Sequence, residues 1–162
     1  MNRFFETRPA AGLAVLRVVL GVIFVYHGYG KLFGGIESTA GFFGSLGIPA
    51  PLASAWLVGI VEFFGGLALV AGIGARAAAA LLVPTMVVAI ATVHWGSGFA
   101  NTNITGMGPQ GPVFGMPGWE FNLALTGGLL GIILGGAGSL RAVARAEETV
   151  AGAARPAVRK AA

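Results

Sequence analysis

Four apolar runs, at about residues 11–33, 52–73, 77–95 and 119–136, limit what this 162-residue chain can become. Each approaches the ~20 residues that a helix needs to cross a ~30 Å hydrocarbon layer. Between residues 18 and 119 the charged side chains are Lys31, Glu37, Glu62 and Arg76. With 10% of residues charged and a mean hydropathy of +0.82, the polar surface that coats a soluble fold is missing. Strands of a membrane barrel would alternate apolar and polar residues, and these runs do not. The expected fold class is all-α, a polytopic membrane four-helix bundle. Residues 1–138 would form a single transmembrane domain and residues 139–162 a basic cytoplasmic tail.

The loops set an expected orientation. Arg3 and Arg8 precede the first run, Arg76 lies between the second and third, and Arg141 and Arg145 follow the fourth. Arg155, Arg159 and Lys160 continue the series, whereas the opposite side has Lys31 near a membrane end. The bias of Lys and Arg toward the inner face therefore places both termini in the cytoplasm. The start, MNRFFETRP, has no small-residue cleavage site, so the first run is expected to stay in the mature protein. The basic ends lack the aromatic interleaving of a nucleic-acid surface and suit anionic lipid instead. Cysteine is absent, which excludes disulfides, iron–sulfur clusters and thiolate chemistry within the chain.

Two outer loops are expected. In the first, Phe42, Phe43 and Leu46 stand at helical spacing behind Ser38, which suggests a short interfacial helix ended by Pro49 and Pro51. The second, residues 96–118, is uncharged and holds seven Gly and three Pro. It reads as a long segment without regular structure that lies on, or dips into, the mouth of the bundle. Trp56, Trp95 and Trp119 suit an aromatic belt at the outer interface. Gly127, Gly131 and Gly135 form a small-residue stripe suited to close helix contact, within the chain or between copies. Pro84 frees the carbonyl of Ala80, and Thr85 and Thr92 are expected to bond back within their helix.

A few polar side chains interrupt the spans. Glu62 sits alone in about twenty apolar residues, where a carboxylate is costly unless it finds a partner. The first span carries Arg17, His27 and Lys31, which share with Gly21, Phe24 and Gly28 an arc of roughly 120°. Gly59, Gly65 and Gly66 flank Glu62, so the acid should face a closely approaching helix. Helical side chains lean toward their own N-terminus. With the outer ends of the two helices level, Glu62 leans outward and His27 inward, and the two would meet, with Lys31 as a bridge. Arg17 would then snorkel to the cytoplasmic interface, the alternative being an extended Arg17 paired with Glu62. A Glu62–His27 pair could equally serve only to fix helix register. The candidate buried polar site is therefore Glu62, His27, Lys31 and Arg17, with His94 and Glu120 as secondary candidates. No catalytic residue and no metal set is assigned. Haem held between His27 and His94 is disfavoured, because their depths differ by a turn or more.

The stretches RVVLGVIFVYHGYGKLFG, FFGSLGIPAP, GIVEFFGGLALVAGIGARAAA, ATVHW and GWEFNLAL, in that order, resemble the DoxX family of small four-helix membrane proteins. The resemblance covers roughly residues 11–138. Arg17, His27, Lys31, Glu62, Arg76, His94 and Glu120 match its polar pattern. It implies a prokaryotic cytoplasmic-membrane protein linked to respiratory redox chemistry, either in quinone-coupled thiosulfate oxidation or beside soluble redox proteins.

Two functions of different class follow. One is an accessory or quinone-interacting subunit of a membrane redox complex, in which Glu62 and His27 line a head-group pocket and relay a proton. Its expected partners are the lipid bilayer and membrane or soluble redox proteins, with no nucleic acid. The other is a non-enzymatic scaffold, or a small-solute permease acting as a homo-oligomer.

Overall fold

The computed structural model describes residues 9–138. The expected basic tail, and Arg3 and Arg8, lie outside the described residues. The described residues hold five α-helices, where a four-helix bundle with a short interfacial helix in the first outer loop was expected. These are α1 (Pro9–Phe33), α2 (Ile36–Ser45), α3 (Pro51–Ala71), α4 (Ala75–Ala89) and α5 (Glu120–Gly135). The path of α4 continues through a π-helical turn, Ile90–His94, and a 3-10 turn, Trp95–Ser97. Pro9–Phe33, Pro51–Ala71 and Ala75–Ser97 are each long and apolar enough to cross a membrane, and α5 is a shorter apolar helix of 16 residues. Their outward faces carry side chains such as Val15, Val19, Tyr26 and Leu134 in the open. Such a surface suits lipid rather than water. The chain is a multi-pass, all-α membrane protein.

Glycine decides how α1 meets α3. A Cβ on Gly28 would overlap the backbone of Phe63, and one on Gly66 would lie 2.6 Å from the amide nitrogen of Val25. A Cβ on Gly21 would lie 2.7 Å from the carbonyl oxygen of Gly66. The two backbones thus touch along their length, gaining close packing where apolar burial against lipid offers little. On α5, Gly128 and Gly135 lie under Leu20 and Leu13 of α1, and Gly131 lies under Leu16. Gly127 faces open space. Two residues of the 127/131/135 stripe therefore pack inside the chain, together with Gly128, which the four-residue spacing skipped.

Between α3 and α4 the chain reverses in three residues. Gly72 and Gly74 both adopt left-handed conformations, at φ 75° and 58°, which only glycine enters without strain. The main core fills the half of the bundle nearest this turn, with Leu20, Leu69, Ala79, Leu82, Leu129 and Ile132 among its members. In α4 and the π-helical turn that follows it, the Thr85 and Thr92 hydroxyls donate to the carbonyls of Leu82 and Val88, both at 2.8 Å, as expected from the sequence.

At the other end the loops are more ordered than their composition suggests. Helix α2 starts earlier than expected, behind Gly35 rather than Ser38. It buries Ala40 and Phe43 against Ala55 of α3. The second loop contains an antiparallel hairpin, β1 (Ile104–Gly108) with β2 (Gly111–Phe114), which corrects the reading without regular structure. The Asn103 amide donates to the carbonyl of Met116 at 2.9 Å and closes the hairpin base. Below it, Trp95 stacks on Trp119 with ring centroids 5.8 Å apart, and Phe99 meets Trp119 edge-on.

Candidate functional site

The carboxylate of Glu62 is paired with Lys31, with Nζ and Oε2 2.5 Å apart. It makes no hydrogen bond to His27 among the described residues, which corrects the expected partner. The reason lies in the level of the helix ends. Gly28 packs on Phe63, and Leu32 and the Lys31 Cβ pack on Gly59. Glu62 is therefore level with the turn between His27 and Lys31, and α3 extends beyond α1 by about 10 Å at 1.5 Å per residue. The helix ends are not flush, and the part of α3 beyond α1 packs on α2 instead, with Ala55 against Ala40 and Phe43. From its place beside Gly59, the four-carbon stem of Lys31 leans inward and delivers its ammonium to the acid. Glu62 is 4% exposed, and Lys31 keeps 23% of its side chain open.

Arg17 serves a different purpose. Its Nη1 donates to the carbonyls of Leu69 and Val70, both at 2.6 Å, and the residue is 4% exposed. These carbonyls belong to the last turn of α3, where helical amides run out and the Gly72 N–H reaches that of Leu69 at 3.2 Å. A cation there also meets the negative end of the helix dipole. The expected snorkelling to the interface is replaced by capping, because Gly72 leaves room for the guanidinium. A Cβ at that position would sit 2.8 Å from Arg17 Cζ. Replacing Arg17 by Met is expected to lower stability by about 2 kcal/mol, the order of a charge-assisted hydrogen bond to a buried carbonyl. Thermal unfolding in detergent checks this, and an unchanged midpoint would count against the cap.

The half of the bundle away from the core holds a cavity of about 970 Å³. Phe24, Met86 and Leu125 belong to both the core and the cavity lining, and so form its floor. Helices α1 to α5 all contribute to its walls, as do Asn101 and Pro117 from the ends of the second outer loop. The loop roots thus reach the cavity, while the hairpin side chains Met107 and Phe114 stand exposed. His27, Lys31, Glu62 and His94 line it together. The size falls at the upper end of ordinary small-molecule sites, and the pattern of mostly apolar walls with a few polar groups is theirs too.

His94 ends the π-helical turn, a deviation that widens the helix and often accompanies function. Its Nδ1 lies 2.8 Å from the carbonyl oxygen of Pro117. Glu120 does not join the cavity. Its Oε1 accepts from the amide of Asn101 at 2.6 Å and ties down the outer loop.

Sequence reasoning missed Asn122, which lines the cavity and is 8% exposed. Standing two residues into α5, it resembles an ordinary helix-start residue. The signal that could have found it is its spacing with Leu125, Leu129 and Ile132, all buried, which puts its amide on the inward face.

Chemically, the arrangement offers an ammonium–carboxylate pair and two imidazoles inside an apolar chamber. An ammonium can polarise a carbonyl oxygen, and a carboxylate or neutral imidazole can accept a proton. Comparison with known proteins agrees with the sequence motifs. The DoxX family model matches residues 12–95. "Putative oxidoreductase CatD" of Bacillus subtilis (strain 168) is 39% identical over 93 residues, covering 57% of this chain and 64% of that protein. The chain therefore spans less than two thirds of the length of this relative. No solved structure matches. The chain belongs to the DoxX family.

Proposed function

We propose that this protein is a quinone-interacting accessory subunit of a membrane redox complex in a prokaryotic cytoplasmic membrane. In this reading α1, α3, α4 and α5 are four spans, both termini are cytoplasmic, and the cavity opens in the outer half of the bilayer. The observation that carries the proposal is the Lys31–Glu62 pair set in the wall of the apolar cavity. Leu57, Leu81 and Val88 line the cavity and are exposed. In this reading a ligand dissolved in the bilayer enters between them. Lys31 would hold a head-group oxygen, and Glu62 or His94 would take or return a proton. The oxidoreductase name of the Bacillus subtilis relative supports a redox setting. In this reading the chain supplies the ligand and proton chemistry, and a partner protein carries the electrons.

Purification from native membranes in mild detergent tests the accessory role. Co-elution with a flavin-, haem- or iron–sulfur-containing subunit in constant ratio is the expected result. Elution of the protein alone under conditions that preserve other respiratory complexes would contradict it.

A further inference from the structure

The polar groups around the cavity are unequal in what they can donate. The hydroxyl protons of Thr39, Ser54, Thr85 and Thr92, all lining residues, go to the carbonyls of Gly35, Pro49, Leu82 and Val88. Each oxygen keeps only lone pairs for a ligand. At His94 the partner of Nδ1 is a carbonyl, which can only accept, so the proton of the neutral ring sits on Nδ1 and Nε2 is bare. At Asn122, Nδ2 lies 3.6 Å from the Met86 thioether sulfur. Sulfur there has no proton to give, so the amide nitrogen faces it, and Oδ1 accepts no hydrogen bond among the described residues. Glu62 uses Oε2 for Lys31 and leaves Oε1 without a partner among them. Lys31, His27, Ser38 and Asn101 are the lining residues that retain side-chain protons, together with the second N–H of the Asn122 amide.

We infer that the cavity selects the reduced, hydroxyl-bearing form of its head group, with Asn122 and His94 as positioning residues that accept from the ligand's O–H. This rests on the quinone-linked reading above and names the redox form that the same site prefers. A quinol carries a donor on each ring oxygen and meets a wall of acceptors. A quinone presents carbonyl oxygens there and finds donors mainly on the Lys31 side. A site built to accept from a hydroxyl disfavours the analogue without it, because its own buried acceptors stay unpaired.

The test compares equilibrium binding of a short-chain quinol and the matching quinone to the purified full-length protein, under anaerobic conditions with the couple held reduced or oxidised. The quinol is expected to bind about tenfold more tightly, the order set by one or two unmatched acceptors. Asn122→Leu, close in volume, should weaken quinol binding by roughly five- to tenfold and leave quinone binding within about twofold. Equal or tighter binding of the quinone by the unsubstituted protein would overturn the inference while leaving a head-group site in place. Binding of neither form would overturn both. Because the first comparison uses the unsubstituted protein, a poorly folding Asn122→Leu does not decide the outcome.

Discussion

Lys31→Met is expected to destabilise the protein by about 3 kcal/mol, and the double substitution Lys31→Met/Glu62→Met by much less. Removing the cation leaves Glu62, 4% exposed, either charged without a partner or protonated at the cost of its preferred state. Breaking a buried pair from one side typically costs about 3–5 kcal/mol, and the open part of Lys31 argues for the lower end. Replacing both partners by apolar residues of similar volume removes the desolvation cost together with the attraction, and is often near neutral. Thermal unfolding of the four members of this cycle in one detergent measures the difference. A double variant less stable than Lys31→Met would mean that the pair is held for stability alone. A recovered midpoint would mean that the chain carries the pair for another reason, which in this account is the ligand.

A larger loss is expected from Gly28→Leu. Its Cβ would overlap the Phe63 backbone, and a helix backbone cannot swing aside as a side chain can. The α1–α3 seam would have to open along Gly21, Gly28 and Gly66 together, displacing Lys31 from Glu62. Overpacking of a close-packed core costs about 1–3 kcal/mol, and a backbone clash exceeds that range, so little folded protein should survive detergent extraction. Gly127→Leu is the matched control, because Gly127 faces open space on α5. Size-exclusion profiles of the two variants should differ, with a monodisperse peak for Gly127→Leu and aggregate for Gly28→Leu. Equal behaviour would contradict the glycine seam.

These two cases also show what the sequence reveals and where it stops. The apolar runs, the small-residue face of α1 and the glycines around Glu62 follow directly from hydropathy and helical period, because packing in lipid leaves few other uses for such residues. The partner of Glu62 does not follow. It depends on the relative level of two helix ends, and a shift of about 10 Å replaces His27 by Lys31. Arg17 reads as an interfacial anchor until the last turn of α3 is seen to end beside it with the carbonyls of Leu69 and Val70 in reach. The hairpin escapes notice because its strands are four or five residues long and rich in glycine, too short for a period to register. Asn122 is missed for a different reason, since a polar residue two places into a helix is ordinary and only its register with the core distinguishes it.

The central claim is that the Lys31–Glu62 pair exists to hold a head group in the cavity. Titration of a short-chain quinone or quinol into the purified protein and into Lys31→Met/Glu62→Met tests it most directly. Saturable binding to the unsubstituted protein, at one site per chain, with an affinity at least tenfold weaker in a double variant that remains folded, is the predicted result. Equal affinity in the two proteins, or no saturable binding to either, would contradict it.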